Sequence, residues 1–125
     1  MRLLIAVMTT VLVGSTVAAF AHDMVKGPNG GQVIEDAGHH VEFTTKDNQV
    51  VLFLTEASDA PLATKGATGR VIVQDGAAQA VADLTATEPT QLTAKLAAPV
   101  KPGNKLVVSI KLADGHDVKA RFVAK

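Results

Sequence analysis

At 125 residues, with 12 Lys and Arg balanced by 12 Asp and Glu, the chain has the length of one domain and no formal net charge. Composition argues against a nucleic-acid partner, because there is no Lys/Arg block and no Trp or Tyr to stack on bases. The absence of cysteine removes disulfides, thiolate metal sites and thiol nucleophiles together.

The N-terminus carries the first organised signal. Met1-Arg2 supplies a positive charge, Leu3 to Val13 form an apolar run, and small residues lead to Ala19-Phe20-Ala21. That three-part pattern with an A-x-A end predicts a signal peptide over residues 1–21, cleaved after Ala21 and delivering the protein to the periplasm. The segment approaches the ~20 residues that span a bilayer, but its apolar core is short and its cleavage site well placed. Nothing later is long or apolar enough to cross a membrane, so no stable insertion is expected after cleavage.

Residues 22–31 hold three glycines and a proline without periodicity, and read as a flexible lead-in to a domain over residues 32–125. His40-Val41-Glu42-Phe43-Thr44 alternates polar and apolar, as a half-buried strand does. Val50 to Leu54 is a short apolar run suited to a strand buried on both faces, and residues 69–74 follow after a Pro/Gly-containing connection. Ala77 to Leu84 contains helix-favouring alanines, yet the turn-like neighbours and regular spacing of residues 77–97 favour short strands. Leu106, Val108, Ile110 and Leu112 share one strand face, and Val118, Ala120, Phe122 and Ala124 repeat the pattern beyond a hairpin signal at Asp114-Gly115. The charges between these elements are scattered singly, which reads as solvated faces. The fold expected is all-β: a small antiparallel β-sandwich of immunoglobulin-like layout with about seven short strands.

Candidate chemistry rests on histidine, the commonest transition-metal ligand. Cleavage after Ala21 would leave His22 with a free α-amine and a ring, able together to chelate one ion. His39 and His40 are consecutive, so on a strand they face opposite ways and do not share an ion. By parity His40 lies with Glu42 on the polar face as a possible two-point site, while His39 shares the core parity of Val41 and Phe43. His116 sits at the predicted hairpin tip, a further ligand if the fold brings it near the others. This thiolate-free set, His22, His39, His40, Glu42 and His116, suits Cu(II) or Zn(II), with Ni(II) the next candidate. Catalysis is not expected, since Ser109, Asp114 and His116 come without a nucleophile elbow or oxyanion loop.

Four stretches carry a family likeness: Gly27-Pro28-Asn29-Gly30-Gly31-Gln32-Val33-Ile34, Gly38-His39-His40-Val41-Glu42-Phe43, Val51-Leu52-Phe53-Leu54-Thr55 and Thr64-Lys65-Gly66-Ala67-Thr68-Gly69. In them the chain resembles small periplasmic proteins associated with heavy-metal efflux. It is likewise similar to the N-terminal domain of some adaptor (membrane fusion) subunits of cobalt–zinc–cadmium-type efflux pumps. The likeness covers most of the chain after residue 21 and weakens between about Ala77 and Lys105. It implies His39 and His40 as metal ligands, and an efflux-pump subunit as partner. The family's opening motif reads His-Gly-Gly, whereas Asn29 stands before Gly30-Gly31 here. The function expected is a metal chaperone, buffer or sensor beside an efflux system. The alternative is a non-catalytic interaction module that docks on an efflux or envelope complex without binding metal.

Overall fold

The computed structural model describes residues 25–125. These form nine antiparallel strands and no helix. In chain order they are β1 (Val25–Lys26), β2 (Gln32–Asp36), β3 (His39–Lys46), β4 (Gln49–Glu56), β5 (Thr68–Asp75), β6 (Ala78–Glu88), β7 (Gln91–Lys95), β8 (Lys105–Lys111) and β9 (Asp117–Val123). All-β antiparallel architecture is therefore the fold, with nine strands where the sequence suggests about seven. One addition is β1, inside the Gly/Pro-rich stretch that reads as a lead-in. The other is β2, whose Gln-Val-Ile-Glu-Asp wording has too little alternation to stand out. In the alanine-rich region β6 is an 11-residue strand. Its pairing to β5 on one side and β7 further along overrides the local helix preference of alanine.

The strands follow the order β1-β2-β3-β4-β7-β6-β5-β8-β9. β6 is the corner. Its first part, from Ala78 to Leu84, pairs with β5, and after that it pairs with β7 through an irregular register at Ala86/Glu88. An irregularity of this kind bends a strand and raises its twist. The sheet therefore curls back until β9 approaches β2, where the Gln32 side-chain amide donates to the Val123 carbonyl at 2.9 Å. At the other end of the same two strands the Lys119 amide donates to Asp36 Oδ2 at 2.8 Å.

Inside the curl lies one apolar core, and strand parity decides its members. Val41 and Phe43 of β3, Val50, Leu52 and Leu54 of β4, and Leu106, Val108 and Ile110 of β8 are all buried. Val118, Ala120 and Phe122 of β9 complete the facing wall. Phe43 and Phe122 stack across it with ring centroids 5.1 Å apart.

Short turns set the register. Ala37 and Gly38, at φ 50° and 78°, join β2 to β3, so Asp36 lies opposite His39. Positive φ at both central residues is the signature of the type I′ hairpin turn. The curl thus has two rims. One carries the 37–38 turn, the end of β4 and the 112–116 loop. The other carries the 47–48 turn, the 96–104 loop and the end of β9.

Candidate functional site

His39 opens β3 immediately after the tight turn, opposite Glu56 of β4. Its parity turns the ring inward at the rim, where the side chain is only 11% exposed. Nδ1 lies 3.0 Å from Glu56 Oε2. The approach lacks hydrogen-bond alignment, and among the described residues buried Nδ1 has no hydrogen-bond partner. Two ligands each ~2.1 Å from one tetrahedral ion stand ~3.4 Å apart, so a slight opening of this pair would admit an ion between them.

His116 enters the same rim from the β8–β9 loop. Its ring centroid is 6.4 Å from that of His39, with the planes inclined at 47°. Asp114 holds it from two sides, accepting the His116 amide at 2.9 Å and standing 2.9 Å from Nδ1. The amide bond is the main cause that keeps the Asp114 carboxyl below its ordinary range, and the nearby His116 and His39 rings add to it. With Nδ1 occupied by Asp114, Nε2 is the nitrogen left to coordinate, the arrangement by which a carboxylate on the far ring nitrogen orients a metal-binding imidazole.

His40 faces the other way, as parity requires. Its Nε2 is 3.4 Å from Glu35 Oε2 and its Nδ1 3.3 Å from Asp59 Oδ1. His39 and His40 therefore belong to separate clusters, and it is His116 that joins His39.

Glu42 departs from its expected role. It has the parity of His40, but it is 4% exposed and lies under the 27–31 turn. Its carboxylate accepts the Asn29 and Gly31 amides, each at 2.9 Å, and Asn29 Nδ2 at 3.1 Å. Its oxygens are committed to this latch, so the pairing with His40 as a two-point metal site does not form. The same bonds order residues 25–31, the described part of the stretch read as a lead-in. Gly27 is needed there because a Cβ would strike the Glu42 carboxylate. Asn29, in the place of the family's histidine, is thus a structural donor to a buried carboxylate.

His22 lies outside the described residues. Among the described residues, no group of three or more His, Asp or Glu side chains is already arranged around an ion position. The ingredients of the rim are two imidazoles, a facing carboxylate on His39 and an orienting carboxylate on His116. Neither Glu56 nor Asp114 is among the metal-site residues expected from the sequence. Glu56 becomes legible once the β3–β4 register is known, and Asp114 reads in the sequence as part of a turn and of a rejected Ser109–Asp114–His116 triad, with no metal role.

No family model matches the chain, and no curated protein matches it. Among solved structures it is similar to the archaellum periplasmic stator protein FlaG from Sulfolobus acidocaldarius, at 15% sequence identity and a TM-score of 0.40. That likeness covers 64% of this chain and 92% of the other.

Proposed function

We propose that this is a non-catalytic metal-binding protein of the periplasm, exported by the 1–21 signal and associated with heavy-metal efflux. On this reading the curled sheet is the immunoglobulin-like sandwich expected from the sequence, and serves as a rigid frame for its rim. The observation that carries the reading is His39. A buried imidazole nitrogen with no hydrogen bond among the described residues stands 3.0 Å from a carboxylate oxygen, with a second imidazole beside it. His39, Glu56 and His116 would hold the ion, and Asp114 would orient His116. Two imidazoles on one tetrahedral ion place their centroids ~5 Å apart, so a small inward swing of the 70% exposed His116 completes the set. The N/O donors suit Cu(II), Zn(II) or Ni(II). His22, with its amine and ring freed by cleavage, would supply further nitrogens.

Calorimetric titration of protein beginning at His22 with each metal tests the reading. One-to-one binding is expected, weakened at least tenfold by His39→Ala or His116→Ala and unchanged by His40→Ala. Affinity should fall below about pH 6, as imidazoles protonate and cease to be ligands. A Met placed ahead of His22 reports whether the terminal amine takes part. No heat with any metal refutes the proposal.

That outcome would favour the second reading, a module that docks on an efflux or envelope complex through a strand edge. Its supporting observation is β1, an edge strand whose Val25 is 66% exposed.

A further inference from the structure

Charges that are scattered singly along the chain are sorted by the fold into opposite rims. The histidine rim gathers Glu35, Asp36, Glu56, Asp59, Asp114 and Asp117, against Lys65, Lys111 and Lys119. The other rim gathers six lysines. Lys46 and Lys95 flank the start of β4, since Gln49 pairs with both. Lys101 and Lys105 belong to the loop that precedes β8 and to its first residue, where Lys105 lies opposite Val123. Lys26 is opposite Gln32, whose side chain reaches Val123, and Lys125 follows at the end of β9. All six are exposed. Facing them are Asp47 and Asp75, and among the described residues only Lys101 has a carboxylate within ion-pair range, Asp75 at 3.8 Å. Glu42 is close by, but sealed under the 27–31 turn.

We propose that this lysine rim is a docking surface for an anionic phospholipid membrane, with the histidine rim directed away from the bilayer. The proposal stands independently of metal binding. Three features select a lipid surface over an acidic protein. Every one of these rim cations is a lysine at a strand end or beyond it, whereas Arg70 and Arg121 lie two residues inside the ends of β5 and β9. Lysine is a flexible point charge suited to a fluid array of headgroups, while fixed carboxylates are better met by the arginine fork. The lysines come from four strand ends, the loop before β8 and the segment after β9, so they meet a broad surface and not one epitope. Between them a shallow groove, in which Asn29, Gln32, Thr44 and Thr45 stand beside Phe43 and Val100, adds a mixed polar and apolar floor at the same level. Since the whole chain is neutral, the attraction comes from this sorting and is confined to about one Debye length, ~10 Å at 0.1 M salt.

The test is sedimentation of the chain with vesicles of phosphatidylcholine containing 30% phosphatidylglycerol, and with phosphatidylcholine alone. Two triple variants are compared: Lys46→Gln with Lys95→Gln and Lys105→Gln on the lysine rim, and Lys65→Gln with Lys111→Gln and Lys119→Gln as a charge-matched control elsewhere. Circular dichroism and thermal melts confirm that both fold. Each lysine near an anionic surface changes partition about fivefold, so the first variant should lose on the order of a hundredfold and the control little. Binding to phosphatidylglycerol vesicles should also weaken steeply with added salt. Equal binding to neutral vesicles, equal loss in both variants, or no binding at low salt would overturn the proposal. So would capture by immobilised poly-glutamate without capture by vesicles, which would assign the rim to an acidic protein.

Discussion

Replacing Glu42 with Ala removes the sole acceptor, among the described residues, of the Asn29 amide, the Gly31 amide and Asn29 Nδ2. Hydrogen bonds to a charged group contribute about 1.5–3 kcal/mol each when isolated. The net loss is smaller than three such bonds. The two amides regain water when the turn opens, and removing a carboxylate that is 4% exposed also relieves its desolvation. A loss of about 2–4 kcal/mol is expected, which for a domain of this size lowers the melting temperature by roughly 10–25 °C. Glu42→Gln should cost only about 1 kcal/mol, because one amide oxygen in the Oε2 position can still accept both backbone donors. Guanidinium unfolding measures the stability, and hydrogen exchange locates the effect. The Asn29 and Gly31 amides should exchange faster in Glu42→Ala, while those of β8 slow and quicken only with global stability. A loss under 1 kcal/mol, or unchanged exchange at residues 29 and 31, would refute the latch as the device that orders the 25–31 segment.

Ala37 adopts φ 50°, so Ala37→Asn, which creates the Asn-Gly pair favoured in this hairpin turn, should stabilise the protein by up to ~1 kcal/mol in the same unfolding assay. Phe122→Ala should cost about 3–5 kcal/mol, while Val123→Ala, one residue on and facing out, should stay within about 0.5 kcal/mol. The Asp114 carboxyl should titrate below its ordinary value of 3.8 when followed by NMR, and remain low in His116→Ala because the residue 116 amide is the main cause. Since the folded-state value is lowered, the stability this group contributes is present above the ordinary value and lost as pH falls through the folded one.

How far the sequence carried depended on whether a feature is local. The alternation in residues 106–112 and 118–124 announced two strands and their inner faces, and Asp114-Gly115 announced the loop between them. The same period-two logic placed His39 and His40 on opposite faces, because successive Cβ atoms on a strand cannot point the same way. Residues 25–36 were harder. Their strands are short, and what orders the first of them is a carboxylate 13 residues from Asn29. Parity put Glu42 on the polar face but could not reveal that another segment would cover that face.

The sequence by itself determined that the chain is β-rich, lacks thiol chemistry and has an inward-turned histidine beside an outward-turned one. Those properties follow from composition and from the two-residue period of the strand. Only the tertiary structure decided that His116 stands beside His39, that Glu56 faces it, and that six lysines collect on the opposite rim. Each of these depends on strand register and on the curl at β6, which joins residues dozens of positions apart and leaves no period along the chain.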